Sequence, residues 1–120
     1  MQNPIEKIED SEFKEFANLA IDKVEQALEK LFETTDFDVD TERQGSNVLN
    51  IKFPNNTVIV INLQTPLQEL WLAAKEGGYH FCWAGTKTNP LWLDTKTNEE
   101  FFTAVSRHIS KQGGVQLTIK

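Results

Sequence analysis

The stretch from Val58 to Trp83, VIVINLQTPLQELWLAAKEGGYHFCW, limits what this chain can fold into more than any other part of it. Three apolar, β-rich runs lie inside it, Val58–Leu63, Leu67–Ala73 and Tyr79–Trp83, separated by Thr65-Pro66 and Gly77-Gly78. Both separators are turn chemistry, so the spacing predicts consecutive antiparallel strands in the middle of a sheet. Side chains alternate faces along a strand. Leu70 and Leu72 therefore share one face, and Glu69, Trp71 and Ala73 share the other. If that second face meets solvent, Trp71 with Asn62 and Gln64 makes a surface patch that asks for a partner. Parity alone equally allows a half-buried Trp that props up sheet packing.

Around this block the composition supports one domain over residues 1–120. Hydrophobic residues make up 39% of the chain and aromatics 10%, eight of them Phe, enough for a real core. No apolar run approaches the ~18 residues of a membrane span. The polar, acidic N-terminus has neither the basic nor the apolar region of a signal peptide. A lone cysteine, Cys82, excludes an internal disulfide and fits a reducing compartment, so the bacterial cytoplasm is the expected location. The net charge of −6 is unevenly spread: residues 1–42 carry thirteen acids against four lysines, a net of −9, and residues 43–120 five acids against eight bases, a net of +3. One acidic pole argues against nucleic acid, which wants a basic face, and points to cations or a basic protein surface.

Met1–Ile8 reads as a frayed lead-in. Asp10 or Ser11 can cap a first helix that runs to about Phe32. Phe13, Phe16, Ala17, Ala20, Val24, Ala27, Leu28 and Leu31 recur at the spacing of one buried face. At about 100° per residue, Glu15, Asp22, Glu25, Glu29 and Glu33 gather in a separate arc of roughly 80°, with Lys23 and Lys30 outside it. Like charges so spaced cost a few tenths of a kcal/mol per pair, so stability supplies no reason for them. A merely solvated face is the plain explanation, and the next segment favours a purpose. Asp36–Asp40 alternates acid with apolar, which predicts an edge strand with Asp36, Asp38 and Asp40 on one face and Phe37 and Val39 on the other. Paired beside the helix end, that strand joins two acidic rows into one ridge.

Gln44–Asn47 reads as a turn, Val48–Phe53 as a strand with Leu49, Ile51 and Phe53 inward, and Pro54–Asn56 as a hairpin. Beyond the central strands come a loop at Thr86–Pro90 and a short strand, Leu91–Leu93. A second helix of about a dozen residues follows, capped by Thr97 or Asn98, with Phe101, Phe102, Val105 and Ile109 on its apolar face. His108, beside Arg107, reads as surface. Gly113-Gly114 stops this helix, and Val115–Ile119 can lie back against the core as an extended piece.

Helix, five or six antiparallel strands, helix is the order of an α+β two-layer sandwich. Two helices cover only one face of such a sheet, which leaves the other open and Trp71 on it. Catalytic signatures are missing: there is no G-x-S-x-G elbow, P-loop or H-E-x-x-H. His80 and Cys82 face the same side of a strand, but with no orienting acid they make no nucleophile–base pair, and Cys82 reads as a sheet-surface thiol. Zinc-type ligation needs three or four converging N or S groups, and the chain has three such side chains in all. What remains is a row of carboxylates, suited to hard cations held weakly, at several sites, with waters retained.

Asn62-x-Gln64-x-Pro66, then Leu70-Trp71-Leu72-Ala73 and Gly77-Gly78-Tyr79-His80-Phe81, resemble the frataxin family in its bacterial CyaY branch. The Asp10-Ser11-Glu12-Phe13 opening and the acidic first helix fit too, so the resemblance covers nearly all of Asp10–Ile119. It implies an α-β-sheet-α sandwich, two helices on one face of a five- to six-stranded antiparallel sheet. It also implies iron, Fe2+ or Fe3+, bound weakly at several sites on the ridge, with other hard cations able to substitute. The implied role is in iron–sulfur cluster assembly, with a cysteine desulfurase and the scaffold protein as partners and a monomer that metal can draw into oligomers. Carried over by position, the metal ridge involves Asp10, Glu12, Glu25, Glu29, Asp36 and Asp38, beside the Glu15, Asp22, Glu33 and Asp40 of the acidic rows. The partner patch is Asn62, Gln64 and Trp71, with His80 next to it. Lys14 stands where bacterial members often carry His, and Lys30, Phe32, Thr34 and Thr35 interrupt the end of the ridge.

A non-enzymatic iron binder that modulates cluster assembly is therefore the leading expectation. One rival is an acidic interaction module whose metal binding is incidental. The other is an iron-storage protein or ferroxidase, which should show buried carboxylates with His, such as a Glu-x-x-His pair on a bundle helix; the chain has none.

Overall fold

Six strands run in chain order, each antiparallel to the next, and two helices pack on one face of the sheet they form. The structure, a computed structural model, describes residues 5–120. Its elements are α1 (Asp10–Thr34), β1 (Asp40–Gln44), β2 (Val48–Lys52), β3 (Val58–Gln64), β4 (Glu69–Ala74), β5 (Gly77–Trp83), β6 (Trp92–Asp94) and α2 (Phe101–Gly113). This is the two-layer sandwich that the sequence predicts, with six strands. No helix among the described residues is long and apolar enough to cross a membrane.

The central strands set the face. Leu49, Ile51, Ile59, Ile61, Leu70, Leu72 and Phe81 are buried under the helices, as parity requires. From α1 come Phe13, Ala17, Ala20, Ile21, Val24 and Leu28; Ile21, missing from the expected stripe, is fully buried. Phe13 meets Trp92 edge-on at 5.6 Å and Phe101 meets Phe81 at 5.2 Å, so each helix is keyed to the same face by an aromatic pair. Trp71 and Ala73 lie on the other face, which no element among the described residues covers.

Several expectations need correction. Asp36–Val39 does not form a strand: only Asp40–Gln44 pairs, and Asp40 faces Lys52. Extended by two residues, this register would bring Asp38 opposite Pro54, which has no N–H to give. Phe53 instead gives its N–H to Thr57 O at 2.9 Å and closes the next hairpin. Leu67 belongs to a 3-10 turn, Thr65–Leu67, and not to β4. Neither helix is capped where expected. The N-cap of α1 is Glu9, whose N–H donates to Glu12 Oε1 at 2.9 Å. The N-cap of α2 is Glu100, whose carboxylate accepts the Phe102 and Thr103 N–H groups.

Met1–Pro4 lie outside the described residues, but the rest of the expected lead-in is pinned. Glu6 N donates to Gly85 O, its carbonyl accepts from Trp83 Nε1 at 2.7 Å, and Ile8 is buried. At the other end Ile119 is buried and its N–H donates to Ser106 Oγ at 2.8 Å, so Val115–Ile119 does fold back on α2. His108 is not surface but 1% exposed, its ring 4.8 Å from that of Tyr79.

Candidate metal ridge and open sheet face

The acids of the first third of the chain fall into two groups. Those early on α1, Glu15 apart, have partners. Asp10 Oδ1 accepts from Gln68 Nε2 at 2.8 Å, and Glu12 Oε2 pairs with Lys87 Nζ at 2.9 Å. The Glu9 N–H and then Lys87 hold the Glu12 carboxyl below the ordinary range, and Glu12 in turn raises Lys87. Midway along the helix, Arg43 Nη1 reaches Asp22 Oδ1 at 2.9 Å and Glu25 Oε1 at 3.0 Å. Strand parity explains the reach: Thr41 and Arg43 face α1, while Asp40, Glu42 and Gln44 face away.

The second group has no ion pair or side-chain hydrogen bond among the described residues. Glu15 is exposed on the first half of α1; Glu29, Glu33, Asp36, Asp38 and Asp40 are exposed from its last turns into β1. Glu29, Glu33, Asp38 and Asp40 line one groove of about 430 Å3 with Leu28 and Phe32, Phe32 being 57% exposed. Asp36 lies round the corner, in a neighbouring cleft with Asp38 and Pro54. The helix end and the segment after it thus bring two acidic rows together, through a groove rather than through a paired strand. Glu33 also sits in the last turn, at the negative end of the helix dipole, and that turn holds no basic residue to offset it.

The donor set in this groove is oxygen only, exposed and charged. No group of three or more His, Cys, Asp or Glu among the described residues is placed to share one ion. Such donors fit a hard cation that keeps most of its waters and do not fit a chelated centre.

On the open face, Trp71 sits opposite Asn62 in β3 and His80 in β5. The Trp71 and His80 rings stack at 4.2 Å with 4° between planes. Trp71 Nε1 donates to Glu69 Oε1 at 2.9 Å, and His80 Nδ1 lies 3.6 Å from the same oxygen. Asn62, Trp71 and His80 form one row across three strands, and Gln64, in the next row opposite Glu69, joins it by donating from Nε2 to Asn62 Oδ1 at 3.0 Å. Trp71 is half-buried, stacked on His80 and hydrogen-bonded to Glu69, and no helix among the described residues covers it. Cys82 lies beside them opposite Glu69, its thiol pushed up by burial first and by the Glu69 charge as well.

Three residues that the sequence reading did not tie to the acids are Gln68, Lys87 and Arg43. Only Arg43 carried a signal, since parity carried on from Phe37 and Val39 turns it toward the helix.

Residues 6–115 match the sequence profile of the frataxin-like domain. This chain belongs to the frataxin family. Among its relatives is a protein of Janthinobacterium sp. strain Marseille, 44% identical over 112 residues, which cover 92% of this chain and 96% of that one. A Polaromonas sp. relative is 43% identical, over 90% of this chain and 89% of its own length. Both are named iron-sulfur cluster assembly protein CyaY. A solved frataxin from Psychromonas ingrahamii superposes with a TM-score of 0.79 at 32% identity, covering 94% of this chain and 99% of that one. The frataxin fold and the meander described above are thus the same architecture.

Proposed function

We propose that this frataxin-family protein carries Fe2+ or Fe3+ as cargo on its acidic side and takes part in iron–sulfur cluster assembly without catalysing a reaction of its own. The observation that supports this most is the groove of unpaired carboxylates in a chain whose relatives, matched along nearly their whole length, are named for cluster assembly. Its donors suit a labile ion better than a resident one, because hydrated ions on exposed oxygens can be handed on. Docking on a cysteine desulfurase in the cytoplasm would start at the acidic surface and be held by burial around Trp71, with the scaffold protein as the further partner. The lack of convergent ligands favours one further reading, in which the acids serve mainly to meet a basic protein surface.

Titrating Fe2+ under anaerobic conditions while following desulfurase rate, then repeating it in air while following iron oxidation, separates the readings. Iron-dependent modulation without catalysed oxidation supports the proposal. Modulation indifferent to iron supports the interaction module, and rapid catalysed oxidation supports a ferroxidase. The two surfaces are distinguishable on the same partners. Glu29→Lys with Glu33→Lys, both free of ion pairs among the described residues, should slow association, with the loss shrinking at high salt. Trp71→Ala should speed dissociation with little change in salt dependence, in a protein that still folds.

A further inference from the structure

We propose that Arg43 is the resident cation of the acidic surface: it holds Asp22 and Glu25 closed to outside ions, so that only the Glu29–Asp40 end takes them. This rests on the cation-binding reading above and states which carboxylates remain available to it.

Four oxygens converge on the one guanidinium. Asp22 Oδ1 and Glu25 Oε1 lie 2.9 and 3.0 Å from Nη1, and Asn18 Oδ1 and Ser46 O lie 3.1 and 3.3 Å from Nη2. The Arg43 side chain is 19% exposed, and its Nε is buried with no partner. Nη1 is given to the two acids, Nη2 to the Asn18 amide and the Ser46 carbonyl, which hold the fork in place, and only Nε is sacrificed. A planar fork that grips several oxygens at once is the work of Arg and is not available to Lys. Asp22 is still 46% exposed, so charge rather than burial turns ions away. An arriving divalent ion would face a fixed positive charge within a few ångströms, and it would compete with a ligand tethered on β1 at high local concentration. Beyond Glu25 the guanidinium has no reach. Glu29, Glu33, Asp38 and Asp40 are left free, and they are the four that share a groove.

The test is to count bound Mn2+ by the loss of its free-ion EPR signal in the full chain, Arg43→Gln and Lys30→Gln. Lys30 is exposed on the same helix and pairs with no acid among the described residues, so Lys30→Gln removes the same charge without freeing a carboxylate. Arg43→Gln should bind roughly one more Mn2+ per chain than the unaltered protein, since a freed carboxylate pair is a hard-oxygen site. Lys30→Gln should not gain it, and adding Asp22→Asn with Glu25→Gln to Arg43→Gln should abolish it. Equal gains from Arg43→Gln and Lys30→Gln, or a gain that survives loss of both acids, would overturn the proposal. If the unaltered protein binds Mn2+ and Arg43→Gln adds nothing, Arg43 has no such role and the groove reading stands. If only Arg43→Gln binds, the groove reading falls and the masking by Arg43 stands; if neither binds, both fall. A measurement without substitutions covers the case of an unfolded variant. In the unaltered chain titrated with La3+, the carboxyl 13C signals of Glu29 and Asp38 should move well before those of Asp22 and Glu25, and simultaneous movement would count against the proposal.

Discussion

The early and late parts of α1 carry the same kind of side chain and handle it in opposite ways. Asp10, Glu12, Asp22 and Glu25 are each met by a group from a distant part of the chain: Gln68, Lys87 or Arg43. In the last turns, Glu29 and Glu33 have no such partner among the described residues, and the helix dipole works against Glu33. The loop that follows brings more acids toward them, and a short β1 leaves that loop free to do so. Charge composition alone would treat both parts as one acidic face. Partnering separates them: the early acids tie the helix to distant parts of the chain, while the late ones repel one another with no partner among the described residues.

Breaking this contrast is most direct at Arg43. Arg43→Met should cost about 1–2 kcal/mol by chemical denaturation, since charged hydrogen bonds are lost but the acids keep access to water. No cost would mean that the early acids are as idle as the late ones.

Acid sharpens the contrast next. The Glu12 carboxyl is held below its ordinary range, so its stabilisation is present above that range and lost as pH falls through it. His108 titrates earlier and has to be separated out. Burial, and then the Arg107 charge, lowers its pKa from the ordinary 6.5. The unfolded chain therefore takes the proton first, and stability present above about pH 6.5 drains away as pH falls below it. His108→Leu should flatten that upper part of the pH–stability curve and leave the carboxylate part in place. A curve unchanged by His108→Leu would show that the ring is accessible to protons in the fold.

The smallest effect has the opposite sign to the first. Glu29→Gln should raise stability by about 0.2–0.5 kcal/mol at low salt, with the gain fading as salt is added. Asp36→Asn should act in the same direction. A loss of stability in both would mean that the late acids have structural partners after all.

Much of this was legible from strand parity. Leu70 and Leu72 against Glu69, Trp71 and Ala73 place the open face correctly, and the stacked Trp71–His80 pair lies where alternation puts it. Alternation misled at Asp36–Asp40, because the ladder depends on the opposing strand, and there Pro54 ends it. Caps were misread for a related reason. Glu100 takes the role expected of Thr97 or Asn98 because Asp94 Oδ1 already holds the Lys96 and Thr97 N–H groups and Asn98 turns left-handed at φ 63°. His108 was legible but missed: it falls seven residues after Phe101 and three after Val105, on the buried stripe. The pairing of Asp22 and Glu25 with Arg43 was not legible as a contact, since it depends on how far β1 lies from α1 in space.

The central claim is that cations bind at the late acids and not on the open face of the sheet. Following backbone amide shifts of the unaltered protein during titration with Fe2+ under anaerobic conditions, and with La3+ as a diamagnetic check, tests it directly. The account expects changes concentrated in Glu29–Asp40, weaker ones around Asp22 and Glu25, and none at the centre of the sheet. Changes centred on His80 and Cys82 would contradict it.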